Sequence, residues 1–155
     1  MHTGIPMSDS TEKNNTKSFS WTSCGKTDVG KARKLNEDSM LVRPEVGMWV
    51  VADGMGGHEA GDVASQMVVS TLKKVPEGIS LERYIDDIED ALIGVNKKLI
   101  EIAHQGEKPT TIGSTVVVML AYEKFCAFIW AGDSRLYRHR NGELVQLTTD
   151  HSQVQ

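Results

Sequence analysis

The sequence predicts an α+β fold, and three observations predict it. Strand-like stretches gather before and after two consecutive helical stretches. The last four strand-like runs are joined in pairs by tight-turn signals, which makes each pair an antiparallel hairpin. Grouped strands with grouped helices, in place of alternating βαβ units, define the class. A length of 155 residues favours one domain with a real core.

The elements follow in order. Residues 1–17 are polar and uneven and read as a disordered tail, with the folded part over 18–155. "SFSWTSCG" (18–25) alternates and reads as a first strand. "TDVGKARKLNED" (27–38) is a polar loop, and "SMLVRP" (39–44) is a short strand stopped by Pro44. "GMWVVAD" (47–53) is a continuous apolar run ending in an acid, as in a strand buried on both faces. From Glu59 to Val75, apolar residues recur at Ala60, Ala64, Met67, Val68, Thr71, Leu72 and Val75, the stripe of an amphipathic helix that Pro76 and Gly78 end. Ser80 is placed to cap a second helix, whose seam runs Leu81, Ile85, Ile88, Leu92, Val95, Leu99 and Ile102. Three heptads suit a core-facing seam better than a coiled coil. "STVVVMLAY" (114–122) and "KFCAFIWAG" (124–132) turn near Glu123, and "SRLYRHR" and "ELVQL" flank Asn141-Gly142, a strong hairpin signal.

Bulk properties narrow the function classes. The net charge of −4 argues against nucleic acid as a main partner, since a basic face is the usual footprint there. No run approaches the roughly eighteen apolar residues of a membrane span. The opening residues lack a basic head followed by an apolar stretch, so the expected location is cytoplasmic. Cys24 and Cys126 have no metal-ligand spacing and read as two buried free thiols.

Chemistry concentrates in three clusters. In "VVADGMGGHEAGD" (50–62) a strand ends in Asp53-Gly54, bringing a carboxylate and a backbone carbonyl to one rim, the two oxygen types hard divalent cations take. The following helix points its positive end at that rim and would favour an anion. A phosphate loop fits less well: Asp62-Val63 stand where a P-loop needs Lys-Ser/Thr, and Glu59 stands where a dinucleotide fingerprint needs its third glycine. A metal site, a phosphate loop and a plain tight turn therefore all remain, with metal favoured. Arg33, Asn36, Glu37 and Asp38 form a second cluster, either a phosphate-gripping arginine beside acids or a solvated loop with an internal ion pair. Asp133 in "AGDSRLY" sits at a turn between strands, where a backbone-bonding turn aspartate is the plain alternative. Among the histidines only His58 and His151 adjoin acids and qualify for acid–base work.

Together these clusters resemble the metal-dependent serine/threonine phosphatases of the type 2C class in their bacterial form. The stretches that carry the resemblance are "GKARKLNEDS" (30–39), "VVADGMGGHEAGDVAS" (50–65), "IGST" (112–115) and "WAGDSRLYRHRNGELVQLTTDHS" (130–152). The resemblance implies an antiparallel β-sandwich flanked by helix pairs. It also implies a centre of two Mn²⁺ or Mg²⁺ ions and in-line attack of activated water on phosphorus, without a covalent enzyme intermediate. On that pattern Asp53 bridges the two ions, the Gly54 carbonyl binds one, and Glu37 and Asp38 hold bound waters. Arg33 grips the substrate phosphate, Asp133 belongs to a third, weaker metal, and Ser114 supports the site without reacting. The implied partners are phosphoprotein substrates of Ser/Thr kinases.

Two departures stand out. Some members place a general-acid histidine directly after the Asp-Gly pair; here that position is Met55, with His58 three residues on. The family's domain also continues with two further metal-binding aspartates, whereas Asp53-Gly54 is the only Asp-Gly pair before Gln155. The expectation is an N-terminal fragment, incomplete at its C-terminus, whose exposed strand edges invite self-association. An inactive module that only binds phosphoproteins or partners is the alternative function, and a nucleotide-binding protein using Gly54–Gly61 is a distant third.

Overall fold

The computed structural model describes residues 20–31, 35–56, 60–105 and 110–151. The elements run β1 (Asp38–Arg43), a single 3-10 turn at Pro44–Val46, β2 (Met48–Gly56), α1 (Ala60–Leu72), α2 (Leu81–His104), β3 (Ile112–Ser114), β4 (Val116–Tyr122), β5 (Phe125–Ala131), β6 (Tyr137–Arg140) and β7 (Glu143–Gln146). The α+β class stands: an antiparallel sheet of order β1-β2-β4-β5, with β3 also on β2, carries the helices, and β6-β7 form a separate hairpin. Among the described residues this is one layer of the expected sandwich, with one helix pair.

The core lies between the sheet and α1. Alternation along β2 sends Met48, Val50 and Ala52 inward, where they meet Leu41 of β1, Val118 and Leu120 of β4, and Ala64, Val68 and Leu72 of α1. The opposite face of β2 is open, with Trp49 half-buried and Val51 48% exposed, so the run at 47–53 is covered on one face among the described residues. An apolar residue on that second face is what makes the run look continuous. α2 packs on α1 through Ile88, Val95 and Leu99, as its seam predicts, and Ser80 caps it by accepting from the Arg83 amide at 3.2 Å.

Several expectations need correction. Residues 20–25 do not form a strand. They are held over the open sheet face by side chains, Trp21 edge-on to Trp49 with centroids 5.1 Å apart and Trp49 Nε1 donating to Ser23 Oγ at 2.8 Å. Side-chain contacts hold this segment where a ladder would need a neighbouring strand's amides and carbonyls. Residues 18 and 19, like the tail expected over 1–17, lie outside the described residues. Cys24 and Cys126 are free as expected but exposed, because both lie toward the less covered side of the sheet. α1 ends at Leu72, three residues before the apolar stripe does, yet Val75 still reaches the core. Both hairpins form where expected, with positive φ at Glu123 in the first and at Asn141 and Gly142 in the second.

Tyr84 escaped the periodicity, since it lies beside the seam and carries a hydroxyl. It is fully buried and donates to the Val46 carbonyl at 2.9 Å, pinning α2 to the 3-10 turn. Burial pushes its phenol up to about 12 from an ordinary 10, with nearby Glu77 and Glu45 adding to the rise and Arg43 opposing it. A raised pKa means that the unfolded chain loses its proton first. The stability Tyr84 contributes is therefore full below pH 10 and falls as pH climbs from 10 towards 12. Denaturant midpoints followed across that range should drop more steeply for the parent chain than for Tyr84→Phe. The variant should also lose about 1 kcal/mol at neutral pH with its hydrogen bond. Parallel pH profiles would exclude this role.

Candidate metal centre

The acidic rim arises where β1 begins and β2 ends. Antiparallel register places Asp38 directly opposite Asp53, so both carboxylates project from the same face of the sheet on neighbouring strands. Like charges directly opposite are destabilising, and a cation between or beside them would relieve the repulsion. Just before Asp38, the loop is stapled by Asn36, whose Nδ2 donates to Thr27 Oγ1 at 2.7 Å and whose Oδ1 accepts from the Asp38 amide at 3.1 Å. Glu37 enters from the same loop, and its carbonyl accepts from the Gly54 amide at 3.0 Å.

Two glycines let α1 approach the rim. A Cβ on Gly54 would overlap the Gly61 carbonyl oxygen in the first turn of α1. A Cβ on Gly61 would meet Glu37 Oε1 at 2.7 Å and the Gly54 carbonyl oxygen at 3.0 Å. A carboxylate oxygen and a backbone carbonyl oxygen thus converge on the space that glycine leaves open, beside the positive end of α1. The sequence assigns Gly54 a carbonyl for an ion and gives Gly61 no task beyond the turn into the helix. Their second task is close packing of strand on helix, which a glycine count cannot reveal.

Glu37, Asp38 and Asp53 line one cavity of about 300 Å³, together with Asp28, Lys31 and Asn36. Asp133 lies outside that lining, in the exposed turn after β5. Arg33 and His58 fall outside the described residues. Among the described residues, no three His, Cys, Asp or Glu side chains come together in a group that could hold a metal ion. The donor chemistry nevertheless fits a hard divalent cation: among the described residues, carboxylates and no sulfur or imidazole line the cavity.

Backbone groups behind Asp53 are held by hydroxyls that sequence reasoning only partly found. Ser114 Oγ donates to the Asp53 carbonyl at 3.1 Å and to the Thr115 carbonyl at 2.8 Å, a supporting part. Thr115 Oγ1 accepts from the Asp53 amide at 3.1 Å and lies 2.6 Å from Ser134 Oγ. Further along, Arg135 embraces Asp150 with Nε and Nη2, an ion pair that holds the Asp150 carboxyl below its usual range and raises the guanidinium. The His151 ring stacks on Trp130 at 5.9 Å, which places His151 against β5 and gives it a packing role.

The family model for Protein phosphatase 2C matches residues 30–154. The chain belongs to this family. It is 35% identical over 136 residues to the serine/threonine phosphatase stp of Listeria innocua, a match covering 83% of this chain and 54% of that protein. Among solved structures it superimposes on PppA of Pseudomonas aeruginosa with a TM-score of 0.77 and 45% identity, covering 81% of this chain and 54% of that one. The catalytic domain of the phosphatase PstP in complex with two manganese ions gives a TM-score of 0.68 and 34% identity over 81% of this chain and 54% of that one. The chain thus spans about half the length of these relatives. As a phosphatase-type fold it carries no helix, among the described residues, long and apolar enough to cross a membrane.

Proposed function

We propose that this chain supplies part of the catalytic centre of a Mn²⁺- or Mg²⁺-dependent phosphatase that hydrolyses phosphoserine and phosphothreonine in proteins. The observation that carries the reading is the opposed Asp38–Asp53 pair opening, with Glu37, into one cavity. Asp53 and the Gly54 carbonyl are the direct ion ligands in this reading, Glu37 and Asp38 act through bound water, and Asp133 serves a third, weaker ion. The ions would supply Lewis-acid activation of water and charge neutralisation at the phosphoryl oxygens. Arg33 supplies a bidentate grip on the phosphate. His58 is the chain's own candidate acid for protonating the departing serine or threonine oxygen, and a water held by the ions would be the alternative donor.

A second reading is a module that binds phosphoproteins without turning them over, favoured by the lack of a three-acid group among the described residues. One assay separates the two. A phosphothreonine peptide should release phosphate in the presence of Mn²⁺, and a chelator should stop it. Peptide binding without phosphate release, unchanged by Mn²⁺, would replace the enzyme reading with the binding one.

A further inference from the structure

Strands β3 and β4 keep one register on β2. Gly54 faces Ser114 and Val51 faces Val117, so 112–122 is in effect one strand interrupted at Thr115. The interruption falls opposite Asp53. In an unbroken antiparallel ladder the two residues of a hydrogen-bonded pair exchange two backbone bonds, and Asp53 and Thr115 stand at such a position. Here one survives, from the Thr115 amide to the Asp53 carbonyl at 2.8 Å. The Asp53 amide turns instead to the Thr115 hydroxyl, and Ser114 Oγ serves the Thr115 carbonyl.

A third hydroxyl fixes this arrangement. Ser134 Oγ lies 2.6 Å from Thr115 Oγ1, and one of the two donates to the other. The turn carrying Ser134 is seated closely: Gly132 has φ +98, and a Cβ there would meet Thr115 Cγ2 at 2.7 Å. The His151 amide holds the same turn by donating to the Gly132 carbonyl at 2.9 Å.

We infer that Thr115 and Ser134 are positioning residues for Asp53. They replace one ladder bond with a side-chain bond, and so set the backbone from which the Asp53 carboxylate reaches the cavity. They also tie the turn of Asp133 to the strand of Asp53, so that the two aspartates move as one unit. The inference rests on the proposed metal reading, and it concerns residues that touch neither ion nor substrate.

The test uses the full chain and two readouts, Mn²⁺ affinity by calorimetry and amide exchange at Asp53 by NMR. Thr115→Val keeps the shape and removes the hydroxyl. It should weaken Mn²⁺ binding by tenfold or more, the usual range of about 10–100-fold for an outer partner of a metal ligand, and should speed exchange of the Asp53 amide. Thr115→Ser should restore both. Ser134→Ala should move both in the same direction by less, and adding it to Thr115→Val should change little further. A folded Thr115→Val chain with unchanged Mn²⁺ affinity and an equally protected Asp53 amide overturns the inference and leaves the metal reading intact. A parent chain that binds no Mn²⁺ overturns the metal reading, and the inference with it.

Discussion

Gly54→Ala should unfold the domain or cost it at least about 3 kcal/mol, the upper end of what overpacking usually does. The added methyl would overlap the Gly61 carbonyl, a backbone atom in the first turn of α1 that no rotamer change can move aside. Relief requires α1 to back away from β2, which breaks the contacts of Ala64 and Val68 with the strand that carries Met48, Val50 and Ala52. Gly61→Ala is the instructive partner. Its methyl meets Glu37 Oε1 at 2.7 Å, the far end of a flexible side chain, and the Gly54 carbonyl at 3.0 Å. That chain should fold with a smaller loss while displacing Glu37 from the rim. Denaturant midpoints rank the two; equal stability for Gly54→Ala and the parent would refute the close packing of strand on helix.

How much of this was legible in the sequence varies with the physics of each part. Hairpins were readable because their turns are local: Asn141-Gly142 adopts the positive φ values that its residue types favour. α2 was readable because its cap and seam lie within one stretch, and Ser80 does accept from Arg83. Buried Tyr84 was not, since its place is set by the Val46 carbonyl, far away in sequence. The strand expected at 18–25 failed for a related reason. Alternation records which side chains want cover, and Trp21 finds it against Trp49 without a ladder. At the site, the acids Glu37, Asp38 and Asp53 stood out by residue type. The hydroxyls of Thr115 and Ser134 did not, because a bond between residues 115 and 134 has no spacing signature. Ser114 alone was given a supporting part; Thr115 and Ser134 lie inside the stretches 112–115 and 130–152 without a role.

The second large effect is expected at Asp53. Asp53→Asn keeps the side chain's size and removes its charge, so it separates folding from ion binding. Asp53 and Asp38 are both exposed, and substitutions at such positions usually change stability by no more than about 0.5 kcal/mol. The metal-free variant should therefore melt close to the parent. Ion binding should behave otherwise. A neutral amide is a weaker ligand than a carboxylate for a hard divalent cation, and the opposed pair that a cation would neutralise no longer exists. Saturating Mn²⁺ at about 100 times the dissociation constant should stabilise the parent by about 2.7 kcal/mol through ligand linkage, and the variant hardly at all. Hydrolysis of a phosphothreonine peptide should fall by at least about a thousandfold, the scale on which loss of one strong electrostatic contributor is felt in a catalytic centre. Melting with and without Mn²⁺ measures the first effect, and phosphate release measures the second. An Asp53→Asn chain that Mn²⁺ still stabilises as it does the parent would remove Asp53 from the metal centre, whatever happens to the rate.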